Sequence, residues 1–508
     1  MKKILFNFKF QIIILILISI FGMFAKLGDV DLPPLGSALH AGVSREILRT
    51  NDWLTLHCYG CEPYKDFYQF PPLFFYLTAI TFKLFGINDF TAKSVSSFFG
   101  VGVIILTIWL GYLLFGKQTA YFSGFVIVTT QFFYKHARGC ELETILIFFS
   151  TLAMIFFILG EKYNNKYFLL FGISSGLAFL SKGPPGYVSY CIVILYIILS
   201  EKWKLLKDIW LWRGFVYGSF VPLLWIVPQL IYEEGKFYNK FILNQILWSL
   251  AGRDIKFNII TKFLSYFYYV PVIVSYYLPW GLLGVYFIYK LIKINFNYKS
   301  SYNLTENNNF WFLSSINVTI AHKELLILFI WIACVWIGFS IPGYKDNYYL
   351  LLFWPAWCVV CGYYLETHIK TESTKMKYVI SSIILLLIII ILTFFTPVQF
   401  EKIRNPEFKS MATKVKSIVP KEKYIYIYKL DFWDFAALVP WYIDRGIVFP
   451  ELKSNRELAE KFITNPEIQY CFFRKEDYNN LYHVYRNNTT ELVKEGRYVL
   501  VVNTKIEK

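Results

Sequence analysis

Three short polar runs interrupt a chain that is otherwise strongly apolar. They are Arg138-Gly139-Cys140-Glu141-Leu142-Glu143, Ser181-Lys182-Gly183-Pro184-Pro185-Gly186 and Pro342-Gly343-Tyr344-Lys345-Asp346-Asn347. Each falls where an apolar stretch ends. Charged groups at a bilayer boundary are costly, so they usually mark a site. Lys182 and Lys345 each carry a compact ammonium of the kind that suits a phosphate oxygen. A carboxylate near the bilayer, with its pKa raised by burial, can act as general base toward a hydroxyl or an amine. Asp29 and Asp31, ahead of Pro33-Pro34, and Glu143 are candidates for that role. Arg45 and Glu46 lie on a helix predicted from Ser37 to Arg49. Carboxylates, lysines and an arginine gathered beside lipid are what an enzyme needs if its substrate is a phosphate on a lipid. Structural readings stand beside this one. Glu143 would be favoured by the helix dipole in a first turn, Arg138 can snorkel, and Lys345 can pair with Asp346. The Gly-Pro-Pro-Gly run is a tight turn in its own right.

The elements that must position these groups follow from composition. The 508 residues are 56% hydrophobic and 20% aromatic, with a mean hydropathy of +0.44. Soluble domains sit near 45–50% apolar, so this is a polytopic membrane protein. A span needs roughly 20 apolar residues. About eleven such stretches occur, near 8–27, 93–115, 118–134, 141–160, 166–181, 186–200, 212–232, 264–289, 324–341, 347–366 and 377–396. The predicted fold is all-α, with about 11–13 transmembrane helices once re-entrant or split helices are allowed for. The net charge of +16, from 51 basic and 35 acidic residues, is spread between spans. It lacks the single basic face that nucleic acid would require.

Lysine-rich connections alternate with lysine-poor ones, and lysine-rich loops stay in the cytoplasm. The N-terminus is therefore expected inside, with residues 1–27 an uncleaved first span. The long loop 28–92 and all three polar runs are expected outside, together with a second outer loop, 233–262, that carries Arg253. Within loop 28–92, the aromatic stretch from Pro71 to Gly86 reads as an interfacial helix. From about 398 the composition becomes that of a soluble protein. Alternation in 424–428 and 498–502 predicts strands, and 455–462 a helix. Residues 1–397 are thus read as a membrane domain and 398–508 as a small α/β domain outside the membrane. His57-Cys58-Tyr59-Gly60-Cys61 is read as a loop disulfide between Cys58 and Cys61 in an oxidising compartment. A metal half-site with His57 is the alternative.

Taken together, these segments resemble the GT-C membrane glycosyltransferases, in particular the aminoarabinose transferases of lipid A and, more distantly, the protein O-mannosyltransferases. The marks are His40-Ala41-Gly42-Val43-Ser44-Arg45-Glu46-Ile47-Leu48 with Asn51-Asp52-Trp53-Leu54; Glu62-Pro63-Tyr64; Pro71-Pro72-Leu73; Lys83-Leu84-Phe85-Gly86; Ala137-Arg138 with Leu142-Glu143; Ser181-Lys182-Gly183-Pro184; and Leu278-Pro279-Trp280. The resemblance covers roughly residues 28–360. It implies a sugar donor carried on a polyprenyl phosphate, undecaprenyl in a bacterial inner membrane. It also implies a lipid, glycan or protein acceptor, and usually inversion at the anomeric carbon. By this resemblance Asp31, Asp29 and Glu143 would be the catalytic acids. Arg138, Lys182, Lys345, Tyr344 and Lys65 would surround the donor phosphate. The chain departs from the family at two places. Gly36-Ser37 replaces the usual Asp-Glu pair, and Phe70 replaces the lysine before Pro-Pro. A catalytically degenerate carrier-binding or transport protein on the same scaffold is therefore an alternative, as is another envelope polysaccharide polymerase or ligase. The scattered loop acids are compatible with a divalent metal, but no ligand spacing demands one.

Overall fold

The computed structural model describes residues 7–59, 65–233, 235–247, 266–301, 323–342, 345–368, scattered positions between 377 and 391, 408–449, 451–481 and 483–503. Cys61, Tyr344 and Arg253 lie outside the described residues, as does most of the stretch expected to form the last span.

The chain is mostly helical. The first helix, α1 (Phe8–Phe24), is capped by Asn7. A π-helical turn at Pro34–Ala38 leads into α2 (Leu39–Thr50), which ends at Asn51 in the left-handed conformation. Next come α3 (Leu73–Phe85) and α4 (Asp89–Phe115). Asn88 and Thr91 close a capping box at the start of α4, and this fixes the angle at which the chain enters it. They are followed by α5 (Lys117–Val128), α6 (Gln131–Ala137), α7 (Glu143–Lys162) and α8 (Tyr167–Lys182). A 3-10 turn at Pro184–Tyr187 precedes α9 (Val188–Leu199), and α10 is Ile209–Tyr232. The later helices are α11 (Tyr269–Tyr276), α12 (Trp280–Ser301), α13 (Lys323–Ser340) and α14 (Trp354–His368), the last preceded by a 3-10 segment, Asn347–Phe353.

By length and apolarity, four segments among the described residues are able to cross a membrane: Asp89–Phe115, Glu143–Lys162, Ile209–Tyr232 and Asn347–His368. Others, such as Phe8–Phe24 and Tyr167–Lys182, are apolar but shorter. The predicted elements are mostly present, with breaks that hydropathy does not see. The stretch 118–134 is two helices, parted at Thr129-Thr130. Their hydroxyls accept from Trp280 Nε1 at 2.9 Å and Trp354 Nε1 at 3.2 Å. The described part of 264–289 is likewise divided, between α11 and α12, where Pro279 has no N–H to continue a ladder.

Helices α8 and α10 pack backbone to backbone. Gly172 and Gly176 on one helix face Gly214 and Gly218 on the other. A Cβ on Gly172 would lie 1.7 Å from the Gly214 carbonyl oxygen, and one on Gly218 would lie 2.2 Å from that of Gly172. Small residues at four-residue spacing allow this approach where no hydrophobic gain is available between helices in lipid. The contact fixes α8 against α10, and Gly183, at φ +89° ahead of Pro184-Pro185, ends α8 at Lys182.

The C-terminal segment begins with α15 (Phe408–Ile418) and forms a four-stranded sheet of β1 (Ile425–Ile427), β2 (Tyr470–Arg474), β3 (Thr489–Glu495) and β4 (Tyr498–Asn503). The order is β1-β2-β4-β3, with β1 and β2 parallel and the other pairs antiparallel. One sheet face, with Phe472 and Leu500, joins a core shared with α2 and α3, through residues such as Ala41, Ile47, Phe75, Phe408 and Phe435. The opposite face, with Cys471, Phe473 and Val499, closes over Leu458 and Phe462. The alternating side chains of β2 and β4 thus serve two different cores, as the period of two requires.

Candidate active site

The first two polar runs meet, and the residues just past the third close on them. Glu143 opens α7, and Lys182 closes α8. Their side chains meet in a buried ion pair, with side-chain exposures of 9% and 10%. The other Glu143 oxygen, Oε2, is buried with no hydrogen-bond partner among the described residues. Tyr348 and Tyr349, just past the third run, place their rings 4.5 and 5.5 Å from Lys182 Nζ, and the Phe70 ring lies 5.9 Å away. The ammonium thus sits in an aromatic cage closed by a carboxylate. Each ring is worth about 0.5–2 kcal/mol to a desolvated cation. His136 lies within electrostatic reach of both Glu143 and Lys182, and its ring is 5.3 Å from that of Tyr348. Lys345 stays apart from the pair. Its ammonium donates to the Pro342 carbonyl at 2.7 Å, and burial lowers its pKa.

Next to this cage, the loop after α1 meets the turn before α7. His40 Nδ1 donates to the Cys140 carbonyl at 2.9 Å, while the ring stands edge-on to Phe70, Phe74 and Phe75. Burial pulls the imidazole pKa down to about 4, against the pull of the Cys140 carbonyl and Glu143. The folded state therefore holds fewer protons than the unfolded state between about pH 6.5 and 4, and stability falls as pH drops through that window. The expected loss approaches about 3 kcal/mol. Thermal melting of wild type and His40→Asn across pH 4–7 measures it. Asparagine keeps a donor toward Cys140 but has no titrating ring, so its pH slope should be shallower.

Glu141, outside the set of acids picked from sequence, is the carboxylate that the fold brings to Gly36-Ser37. Ser37 Oγ donates to its Oε1 at 2.9 Å. Its signal in the sequence is its position two residues before Glu143 in the first polar run, but nothing local links it to residue 37.

The remaining candidates lie elsewhere. Arg138 turns toward the end of α1, where it donates to the carbonyls of Gly22 at 2.5 Å, Met23 at 3.1 Å and Ala25 at 2.8 Å. These are orphan acceptors of a helix C-terminus. Asp29 is exposed beside this turn. Asp31 faces Lys409 of the C-terminal segment at 3.3 Å, and Lys409 also binds Asp89 at 2.6 Å. Burial raises the Asp31 pKa, with Lys409 opposing. Arg45 contacts Glu46 and Asp444, both at 3.5 Å, and Arg49 contacts Asp444 at 3.3 Å. Burial raises the Glu46 pKa against both arginines. These contacts fasten α2 to the C-terminal segment around a cavity of about 710 Å³ bordered by Arg45, Arg49, Lys409, Lys416, Trp441 and Tyr442. Lys65 is exposed on the loop between α2 and α3, and its carbonyl accepts from the Cys58 N–H at 2.7 Å. Cys58 is buried. Among the described residues no group of three or more His, Cys, Asp or Glu is placed to hold a metal ion.

A mostly helical scaffold with a C-terminal sheet packed on the short helices that follow α1 is a GT-C fold. The structure of ArnT from Cupriavidus metallidurans bound to undecaprenyl phosphate superposes with a TM-score of 0.72, covering 97% of this chain and 98% of that one at 14% identity. Within the class, residues 69–232 match the family described as dolichyl-phosphate-mannose-protein mannosyltransferase. An undecaprenyl phosphate-alpha-4-amino-4-deoxy-L-arabinose arabinosyl transferase from Wigglesworthia glossinidia brevipalpis is 23% identical over 88% of this chain and 72% of its own length. An uncharacterized protein from Aquifex aeolicus is 25% identical over 58% of this chain. The chain spans about half (53%) of that relative's length.

Proposed function

We propose that this chain transfers a monosaccharide from a polyprenyl-phosphate carrier to a lipid, glycan or protein acceptor at the outer face of a bacterial inner membrane. The carrying observation is the Lys182 ammonium, held against Glu143 and caged by Tyr348 and Tyr349, in a fold shared with a protein solved with undecaprenyl phosphate bound. In this reading Lys182 meets the carrier phosphate and neutralises the charge that develops as it leaves. Glu143 holds Lys182 in register while the site is empty. Lys345 would supply a second cation toward the phosphate. Arg138, Arg45, Glu46 and Asp31 form the frame that fixes the outer loop over the site. The lysine distribution supports an N-terminus in the cytoplasm and residues 398–508 outside it.

The experiment is to purify the full chain in lipid and supply a panel of polyprenyl-phosphate sugars, including undecaprenyl-phosphate aminoarabinose, while following release of free polyprenyl phosphate. Release from at least one donor is expected. A second reading has its own observation. By the family resemblance Gly36, Ser37 and Phe70 stand where charged residues are expected, and Lys182 is already neutralised by Glu143. A carrier-binding or transport protein would bind undecaprenyl phosphate and release none from any donor.

A further inference from the structure

We propose that Glu141 is the catalytic carboxylate that takes the proton from the acceptor. The inference rests on the transfer reading above and adds to it the residue that activates the nucleophile.

The position of this carboxylate is built from several parts of the chain. Ser37 Oγ donates to Glu141 Oε1 at 2.9 Å and accepts from the Cys140 N–H at 3.0 Å, so one hydroxyl holds both the acid and its backbone. Ser96 Oγ, from α4, accepts from the Glu141 N–H at 3.1 Å and donates to the Glu141 carbonyl at 2.8 Å. His40 Nδ1 lies 3.9 Å from Oε2. Two glycines make the room. A Cβ on Gly36, whose φ is +92°, would stand 3.0 Å from Oε1, and a Cβ on Gly139 would stand 2.8 Å from Glu141 Cγ. An acid placed this firmly still keeps 20% of its side chain accessible, twice the figure for Glu143. A relay of packed side chains joins it to the caged ammonium. Glu141 borders His40, the His40 ring packs 5.8 Å from that of Phe70, and Phe70 in turn borders Lys182.

The acceptor hydroxyl or amine attacks the anomeric carbon, and its proton passes to Glu141. The bond from the anomeric carbon to the carrier phosphate oxygen breaks with its electron pair on that oxygen. Polyprenyl phosphate leaves beside Lys182, and Glu141 returns the proton to water.

The test uses the full chain in lipid, the donor that wild type turns over, and undecaprenyl phosphate as the binding probe. Glu141→Gln should lower turnover at saturating donor by about 10²-fold or more, with carrier affinity and melting temperature unchanged, and the acidic limb of the pH–rate profile should disappear. The swap Ser37→Asp with Glu141→Ser puts a carboxylate across the same hydrogen bond and should regain turnover and the acidic limb. Wild-type turnover by Glu141→Gln overturns the proposal while leaving the transfer reading intact. So does an equal loss of carrier binding and melting temperature in Glu141→Gln with no recovery in the swap, because the role would then be structural. Absence of release by wild type from every donor overturns the transfer reading and this proposal with it.

Discussion

A Lys182→Met, Glu143→Gln double variant should fold and insert, yet release polyprenyl phosphate at least about 10²-fold more slowly than wild type. The pairing of the two substitutions matters. Lys182 and Glu143 neutralise one another in a site where neither side chain is more than 10% exposed. Removing the lysine alone strands a buried carboxylate, which typically costs about 3–5 kcal/mol. A Lys182→Ala protein that lost activity could then have lost its fold. Replacing both partners with neutral groups of similar shape avoids that penalty and leaves Tyr348, Tyr349 and Phe70 packed on an apolar side chain. Lys182→Arg is a useful companion. Its charge remains, but a planar guanidinium does not fit a cage shaped around an ammonium, so partial transfer is expected. The measurement is release of free carrier alongside thermal melting in the same lipid. A double variant that melts like wild type and transfers at the full rate would remove Lys182 from the phosphate site.

Arg138→Gln should cost stability, not chemistry. Its guanidinium satisfies the carbonyls of Gly22, Met23 and Ala25, which are the last acceptors of α1. Hydrogen bonds to a charged donor contribute about 1.5–3 kcal/mol each, less when they share one group. A loss of several kcal/mol is a large fraction of the stability of most domains. Glutamine reaches at most one of the three carbonyls. The expected result is a low yield of folded protein after mild extraction, with undecaprenyl phosphate binding by the surviving fraction unchanged. A well-folded Arg138→Gln protein that no longer binds the carrier would restore Arg138 to the phosphate site where the family resemblance places it.

Much of the architecture was legible because lipid imposes a simple rule. Apolar stretches such as 93–115 and 141–160 became α4 and α7 nearly residue for residue. The aromatic run from Pro71 became α3, and the alternation at 424–428 and 498–502 became β1 and β4. The helix expected over 455–462 appears as a short α-helical turn with a capping box at Ser454, continuing as a π-helix. The division of 118–134 was not legible, because threonine is compatible with a helix until tryptophans from distant segments claim its hydroxyls. The close pairing of α8 and α10 was also hidden. Glycine spacing shows that helices can approach, but not which ones do.

The sequence by itself determined that polar groups would collect at the ends of helices, because charge is expelled from hydrocarbon wherever it falls along the chain. It therefore pointed to the three runs, and within them to Lys182 and Glu143, as candidates. Only the tertiary structure decided what each charge meets. Lys182 finds Glu143 across 39 residues, Ser37 finds Glu141 across 104, and Arg138 finds the end of α1 across 116. Hydropathy reports the phase a residue prefers, which is a local property. Ion pairs and hydrogen bonds act over a few ångströms, so their partners are chosen by how whole helices pack. Arg138 was drawn to a helix end, Asp31 to Lys409, and Glu141 into the space left by two glycines.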